Sequence, residues 1–371
     1  MTHSRLVRTA MTVGLFVSLV LLGQAIPYQA TAQTIIPVDC NDPAQTLNDA
    51  IQVANPGDTI QVTGTCQEMV TITTDRLTID GQGSAIIDGG GGFPIQPTLA
   101  GVITIDGASG VHLTGLTVQN GPDGVLIVRG ASARLTDVTS RGNADEGLQA
   151  IDGATATFSG TIVSQDNGDD GIGVFITSSL TLDSGSSVSS LNNGDNGISV
   201  FSSSSVRAIN TTIRLDNNGR LDQFGDGLSV WGTSTAFFSG TTMVGADQNA
   251  WRGIVLSSAS YLLFLDTSAA TLTNNGSDGL GIFNVSRFSL GSGTTLLSES
   301  NAGMGIVVSS IAIASCSSES TVTLLNNDSG PSFVSDNSQA SLACLEPMTT
   351  TQVQGQPRSV PEPPVEEAET Y

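Results

Sequence analysis

The chain has 371 residues, of which 12 are basic and 34 acidic, and its formal net charge is −22. All of the basic residues are arginine. This charge excludes nucleic acid and anionic membranes as partners, because both repel an acidic protein. It also disfavours polyanionic polysaccharides unless a cation bridges them.

The first 32 residues have the composition of a secretory signal peptide. Arg5 and Arg8 precede an apolar segment, residues 11–22, that is too short to span a bilayer comfortably. Ala30-Thr31-Ala32 is a small-residue cleavage site, which predicts a mature chain that begins at Gln33. The sequence therefore predicts secretion or a periplasmic or cell-surface location.

Residues 33–57 are predicted to form an N-terminal cap. Asp42 is the candidate N-cap of a helix over residues 43–54, whose apolar side chains share one face: Leu47, Ala50, Ile51 and Ala54. We expect this helix to cover the open end of the structure that follows it.

A glycine-centred phrase recurs through the middle of the chain. It reads Asn167-Gly168-Asp169-Asp170-Gly171-Ile172-Gly173-Val174, and a close copy occupies residues 193–200. The glycine of the phrase recurs, with steps of 23 to 30 residues, at Gly124, Gly147, Gly171, Gly197, Gly227, Gly253, Gly279 and Gly305. Self-similarity at such a period indicates one structural unit stacked on copies of itself.

Each unit contains three short segments with the period of two that is typical of strands. Ile172 and Val174, for example, alternate with Gly173 and Phe175. No unit has room for a crossover helix. Residues 58–345 are therefore predicted to form an all-β, single-stranded parallel β-helix. Asparagine pairs are predicted to occupy left-handed turn positions and amide ladders: Asn192-Asn193, Asn217-Asn218, Asn274-Asn275 and Asn326-Asn327.

The phrases quoted above resemble those of the right-handed parallel β-helix proteins with the pectate-lyase-like fold. The resemblance covers residues 58–345. It implies a right-handed solenoid and does not by itself imply an activity, since one fold hosts many chemistries.

Four cysteines in an exported chain predict two disulfides. Cys40 and Cys66 are 26 residues apart, and Cys316 and Cys344 are 28 apart. Each spacing is about one coil. Of the three possible connectivities we therefore predict these two pairs, one near each end of the solenoid.

The chain ends in an acidic segment rich in proline. Residues 346–371 are predicted to be disordered, and they contain no hydrophobic segment that would anchor the protein to a membrane.

Acidic residues crowd the start of one strand in each coil. Asp145, Glu146, Asp170 and Asp195 are the candidate ligands of a Ca²⁺ ion, because carboxylates on adjacent coils would lie about 5 Å apart. Such a cluster could instead supply a general acid and base. The alternative is that aspartate is only a good turn residue where a strand begins.

Aromatic residues share one phase of the repeat. Phe175, Phe201, Trp231 and Phe283 are predicted to point outward, each two residues after a small residue. Such a column could stack sugar rings beside the carboxylates. Since the parity rule weakens at a strand end, the rings could instead pack on one another.

Two acidic motifs are similar to those of the polygalacturonase-like β-helix hydrolases. Asn143-Ala144-Asp145 resembles the first motif of that family and Asp169-Asp170 the second. The resemblance implies Asp145, Asp169 and Asp170 as catalytic residues if the protein is an enzyme. Asn196 stands where the family has histidine, and Arg252 precedes its glycine instead of following it, with no lysine nearby. Arg252 is the remaining candidate for contact with substrate.

The leading interpretation is an exported, non-catalytic β-helix that binds a glycan or forms part of a cell-surface layer. The alternative is a polysaccharide-degrading hydrolase that uses the aspartate cluster.

Overall fold

The fold is built from short strands, three to a coil. The computed structural model describes residues 33–92, 99–221, 224–335 and 337–342. Within them the chain forms one helix, α1 (Leu47–Val53), and 31 strands. The predicted signal peptide, the predicted acidic tail and Cys344 lie outside the described residues.

The first strands are β1 (Ile35–Asp39), β2 (Thr59–Thr63), β3 (Thr65–Gln67), β4 (Val70–Ile72), β5 (Thr78–Asp88), β6 (Gly101–Asp106), β7 (Val111–Gln119), β8 (Asp123–Val128), β9 (Ser132–Arg141), β10 (Leu148–Ala150) and β11 (Thr155–Gln165). The middle strands are β12 (Ile172–Val174), β13 (Ser179–Leu182), β14 (Ser187–Leu191), β15 (Ile198–Val200), β16 (Ser205–Ile209), β17 (Thr212–Asp216), β18 (Leu228–Val230), β19 (Thr235–Ser239), β20 (Met243–Asp247), β21 (Ile254–Leu256) and β22 (Tyr261–Phe264). The last strands are β23 (Ala269–Thr273), β24 (Leu280–Ile282), β25 (Arg287–Leu290), β26 (Thr295–Glu299), β27 (Met304–Val308), β28 (Ile313–Cys316), β29 (Thr321–Leu325), β30 (Gly330–Val334) and β31 (Gln339–Leu342).

Strands of successive coils pair in parallel, so that residues of one repeat phase lie above one another. An 11-stranded sheet from β4 to β30, which we call the front sheet, runs along one side of the solenoid. In it Leu148 pairs with Ile172, which pairs with Ile198. A 20-stranded sheet forms the remaining sides. The predicted all-β, right-handed parallel β-helix is therefore confirmed. Residues that pair in the front sheet are separated in the sequence by the spacing of the repeat glycines.

The inside of the coils is one continuous hydrophobic core. It contains every front-sheet side chain that alternation predicts to point inward: Leu148, Ala150, Ile172, Val174, Ile198, Val200, Leu228 and Val230. Phe238, Phe264 and Phe288 stack inside three successive coils, with ring centroids 5.0 and 6.2 Å apart. Because burial of apolar surface is the main favourable term in folding, each added coil stabilises its neighbours.

Asparagine side chains join the coils at one turn, as the sequence predicts. The first asparagine of each predicted pair is left-handed, with φ of 56° at Asn192 and 57° at Asn217. The second lies in a ladder. The backbone N–H and the Nδ2–H of Asn167 both donate to Oδ1 of Asn193, at 3.2 and 3.0 Å. The ladder satisfies backbone donors that no strand partner reaches at this turn.

The helix α1 lies at the N-terminal end and packs against β1, β2 and β4. It begins later than predicted. Its N-cap is Thr46, whose side chain accepts from the N–H of Asp49, and Asp42 instead accepts from the N–H of Ala44. The difference has a long-range cause: the Glu68 carboxylate accepts the N–H groups of the first two helical residues, at 2.7 and 3.0 Å. The described residues contain no helix of the length and hydrophobicity needed to cross a membrane.

The predicted N-terminal disulfide is present. Cys40 and Cys66 are bonded, with their Cα atoms 4.9 Å apart. This bond links the end of β1 to β3 and closes the first coil. Cys316 ends β28. Because Cys344 is not among the described residues, the second pairing stays a prediction.

The asparagine ladder yields a test of the fold. Asn193→Ala removes the oxygen that accepts two N–H groups of Asn167, and those donors stay buried. We expect the free energy of unfolding to fall by about 3 kcal/mol in urea titrations, since each unsatisfied buried donor costs about 1–3 kcal/mol. Asn48→Ala, on the exposed face of α1, is the control and should change it by less than about 0.5 kcal/mol. Equal effects of the two substitutions would contradict a structural ladder.

Candidate functional site

The candidate site lies on the outer face of the front sheet, where each strand begins. The residue before the repeat glycine is buried in seven coils: Asp123, Glu146, Asp170, Asn196, Asp226, Arg252 and Asp278. The structure thus stacks in one row the position that the sequence marks as rich in acids.

Several members of this row have a structural role. Oδ1 of Asp170 accepts the backbone N–H of Asn196 at 2.8 Å, and Oδ1 of Asn196 accepts that of Asp226 at 2.9 Å. Asp226 and Asp278 each accept an N–H from the next coil in the same way, at 2.9 and 2.8 Å. Asn196 performs this task without a charge. A side-chain oxygen at this position, rather than a carboxylate, is therefore what the backbone requires.

One acidic group comprises Asp123, Asp145 and Glu146. An oxygen of each lies within 4.8 Å of the others, and all three side chains are buried. Nε2 of Gln149 donates to Oε1 of Glu146 at 2.8 Å. Burial, followed by the charge of Asp145, raises the pKa of Asp123 well above its ordinary value. Burial, followed by the charge of Asp123, raises the pKa of Glu146 in the same direction.

A second acidic group comprises Asp169, Asp170 and Asp195, again with an oxygen of each within 4.8 Å of the others. Asp169 and Asp195 are half-buried, whereas Asp170 is buried. The four predicted metal ligands are thereby divided, with Asp145 and Glu146 in the first group and Asp170 and Asp195 in the second. The predicted catalytic residues divide in the same way, because Asp145 is in the first group and Asp169 and Asp170 are in the second.

The aromatic residues form the column that their repeat phase predicts. The backbone N–H of Phe201 donates to the carbonyl of Val174, and that of Trp231 donates to the carbonyl of Val200, so the register continues one residue beyond the strands. All four rings, of Phe175, Phe201, Trp231 and Phe283, are half-buried.

Two of the rings, those of Phe175 and Phe283, fold back over the glycines that precede them. A Cβ placed on Gly173 would lie 2.5 Å from Cε2 of Phe175, and the ring of Phe283 blocks the same space above Gly281. Phe175 also packs against an apolar cluster on the outer face, formed by Leu126, Val128 and Ile151. Gly173 and Gly281 are therefore covered by these two rings, and each of the two rings has one covered face.

Arg252 is enclosed by aromatic rings. Its side chain is 3% exposed, and its Cζ lies 3.5 Å from the centroid of Trp251 and 4.9 Å from that of Phe283. Its Nε is 3.7 Å from Oδ2 of Asp278. Burial lowers the pKa of Arg252, while the charges of Asp226 and Asp278 raise it. Arg252 thus contacts groups of two coils by stacking and charge, and its contact with substrate stays a prediction.

Sequence reasoning missed three residues of this region. Asp123 occupies the same repeat phase as the chosen acids, so the alignment of the glycines could have found it. Trp251 lies two residues before its repeat glycine, Gly253, which is the position that Asp195 holds before Gly197. Phe224 contacts Trp251 edge to face, with centroids 5.5 Å apart, and it lies in the longest step of the repeat. The extra residues between Gly197 and Gly227 are the sequence feature that could have pointed to Phe224.

Comparison with known proteins gives a family match over part of the chain. A model of the right handed beta helix region matches residues 100–219. None of the curated proteins compared with the chain matches it significantly.

Solved structures with similar architecture include three carbohydrate-related proteins. An alginate lyase from Paenibacillus sp. str. FPU-7 is 12% identical with a TM-score of 0.46, and the match covers 83% of this chain and 99% of the lyase. The A-module of the Azotobacter vinelandii mannuronan C-5 epimerase AlgE4 is 11% identical with a TM-score of 0.44, over 79% and 93% of the two chains. A family 28 exopolygalacturonase from Yersinia enterocolitica is 12% identical with a TM-score of 0.43, over 83% and 78%. At these values the likeness carries no argument about the activity of this chain.

The enclosure of Arg252 predicts a large effect on stability. Arg252→Ala leaves the buried carboxylate of Asp278 without its ion pair, and we expect the free energy of unfolding at pH 8 to fall by about 3–5 kcal/mol. Burial already raises the pKa of Asp278, so the loss should be smaller at pH 4, where that carboxyl group can take up a proton.

The control for this prediction is Arg134→Ala, which breaks the exposed ion pair with Asp183. It should cost less than about 1 kcal/mol. If Arg252→Ala costs as little as the control, Arg252 is not needed for stability and its assignment as a ligand contact gains support.

Proposed function

We propose that the protein is an exported, non-catalytic β-helix that binds a neutral polysaccharide along the outer face of its front sheet. The observation that carries this proposal is the column of half-exposed rings at Phe175, Phe201 and Trp231 on three successive coils. Half-exposed aromatic rings in a row are a common feature of binding surfaces. The disulfide between Cys40 and Cys66 and the sequence of residues 1–32 support export.

The geometry supports a ligand that runs along the solenoid axis. Successive rings are separated by one coil, about 4.8 Å, so neighbouring rings present a continuous apolar strip. The strip is interrupted at Ser257, which occupies the phase between Trp231 and Phe283. Because the ring of Phe175 is covered on one face by Gly173, a sugar would stack on its other face.

Half-buried carboxylates supply polar contacts on the opposite edge of the same face. Asp169 and Asp195 are half-buried and lie shortly before β12 and β15, and Asp170 is three residues, about 10 Å along an extended chain, from Gly173. Carboxylates accept hydrogen bonds from sugar hydroxyl groups. The strong negative charge of the chain favours a neutral ligand over an anionic one.

A hydrolase is a second candidate, favoured by the second acidic group. Two of its three carboxylates are half-buried, and the oxygens lie within 4.8 Å of one another.

The binding proposal predicts a role for Trp231. Dextran, galactomannan and arabinogalactan serve as neutral probes, with alginate as the anionic comparison, and binding is measured by tryptophan fluorescence and affinity electrophoresis. Since the chain contains two tryptophans, a Trp251→Phe background isolates the signal of Trp231. Trp231→Ala, which removes the fluorescent residue and is therefore assayed by affinity electrophoresis alone, should weaken binding of the recognised neutral probe at least tenfold, because truncating an aromatic hot spot costs about 2 kcal/mol or more.

Phe237→Ala is the matched control, since Phe237 is a half-buried ring on β19, outside the front sheet. It should leave binding unchanged. Equal binding by wild type and Trp231→Ala, with the folded state intact by circular dichroism, would contradict the proposal.

The hydrolase candidate makes its own prediction. If the second acidic group is catalytic, the wild-type chain releases reducing ends from the probe that it binds, and Asp169→Asn lowers the rate at least 100-fold while binding persists. Binding with no release of reducing ends by the wild-type chain is the outcome expected for the proposed non-catalytic function.

A further inference from the structure

The row of residues before the repeat glycines has a different order of charges in the coils of the first acidic group than in the later coils. Downstream, every acid before a repeat glycine is followed one coil later by a residue that is not acidic: Asp170 by Asn196, Asp226 by Arg252, and Asp278 by Met304. These three are the partners whose N–H the acids bind. Upstream, Asp123 is followed directly by Glu146 and then by Asp170. In this row the later coils alternate an acid with a residue that is not acidic, whereas the first three coils place acids directly one above another.

A second, independent observation concerns hydrogen bonds. Asp123 is 1% exposed and Glu146 is 4% exposed. Within the described part of the chain, no donor outside the acidic group reaches either carboxyl oxygen of Asp123 or Oε2 of Glu146. One carboxyl oxygen of each of the three acids lies within 4.8 Å of those of the other two. Buried acceptors that lack donors require a positive charge or a proton nearby.

The enclosure restricts what that charge can be. Asp123 and Glu146 are too deeply buried for a sugar ring to reach. Oxygens no more than 4.8 Å apart match an ion that lies about 2.3–2.6 Å from each of its ligands. The group contains only carboxylates, without histidine or cysteine, which disfavours Zn²⁺. Ca²⁺ takes oxygen ligands in irregular geometries, whereas Mg²⁺ demands a near-octahedral set and retains several waters.

We propose that Asp123, Asp145 and Glu146 form a binding site for one Ca²⁺ ion between two coils. Asp123 begins β8, and the other two acids precede β10 in the next coil, so the ion joins adjacent coils at the start of the front sheet. Gln149 holds Glu146 in place through its hydrogen bond to Oε1 and leaves Oε2 to face the ion, as partners of metal ligands commonly do. This site goes beyond the proposed glycan binding and does not depend on it.

The test uses the full chain stripped of metal with EDTA and then titrated with CaCl₂ in a calorimeter. We expect one Ca²⁺ per chain and a melting temperature that rises with Ca²⁺ concentration, because an ion that binds only the folded state stabilises it. Asp123→Asn and Glu146→Gln should each weaken Ca²⁺ binding at least tenfold. Asp152→Asn changes an exposed aspartate of a neighbouring coil and should leave the affinity unchanged. MgCl₂ should bind more weakly than CaCl₂.

The effect of Asp123→Asn on the melting temperature should have opposite signs with and without Ca²⁺ if the group binds an ion, and the same sign if its role is purely structural. In EDTA, Asp123→Asn removes a charge from a crowded group and should melt at the same temperature as the wild type or higher. In saturating Ca²⁺ it should melt lower, because it has lost the ion. Should Asp123→Asn fail to fold, Glu146→Gln is judged by the same two measurements.

Three results would overturn the proposal. One is a wild-type chain that takes up no Ca²⁺. Another is Ca²⁺ binding that survives both Asp123→Asn and Glu146→Gln. The third is binding that Asp195→Asn abolishes and Asp123→Asn leaves unchanged, which would place the ion in the second acidic group.

Discussion

The in-register stacking of parallel coils is the constraint on which the rest of this structure depends. Once Leu148, Ile172 and Ile198 lie above one another, every residue type repeated in one phase becomes a column with a spacing of about 4.8 Å. Asparagine, carboxylate and aromatic columns arise in this way. For amides the spacing is favourable, because the donor of one side chain meets the acceptor of the next. For carboxylates it is unfavourable, because like charges repel at this distance.

The acidic column shows how the chain resolves that conflict. Asn196 keeps the hydrogen bond to the next coil and removes the charge. Arg252 replaces the acid with a cation that lies between Asp226 and Asp278 in the row, stacked on Trp251. Both solutions preserve the register while they remove the repulsion. Neither is used where Glu146 stands beside Asp123, and there no donor from outside the group reaches the oxygens of Asp123 or Oε2 of Glu146.

Properties that repeat were predictable from the sequence, and properties of single coils were not. Strand positions, the inward side chains and the amide ladder follow from periodicity, and the structure has all three. The path of each aromatic side chain does not, because Phe175 settles over Gly173 through contacts with Leu126, Val128 and Ile151 from other coils. The start of α1 depends on Glu68, about 20 residues later, as a hydrogen-bond acceptor. The sequence predicts one cluster of acids where the structure has two groups. An alignment of the repeats does not show which of the acidic side chains are buried together.

Burial also separates the roles that the acids of the front face can have. Asp123 and Glu146 are enclosed and can exchange only ions or protons with the solvent, so their charges act on folding. Asp169 and Asp195 are half-buried, so that their carboxylates can accept a hydrogen bond from a hydroxyl group of a ligand. We call these two carboxylates the rim of the site. An ion held by the enclosed group would lower the negative potential at the rim, since charge acts over several ångströms in a medium of low dielectric constant. The enclosed site would then influence which ligands the rim accepts without contacting any of them.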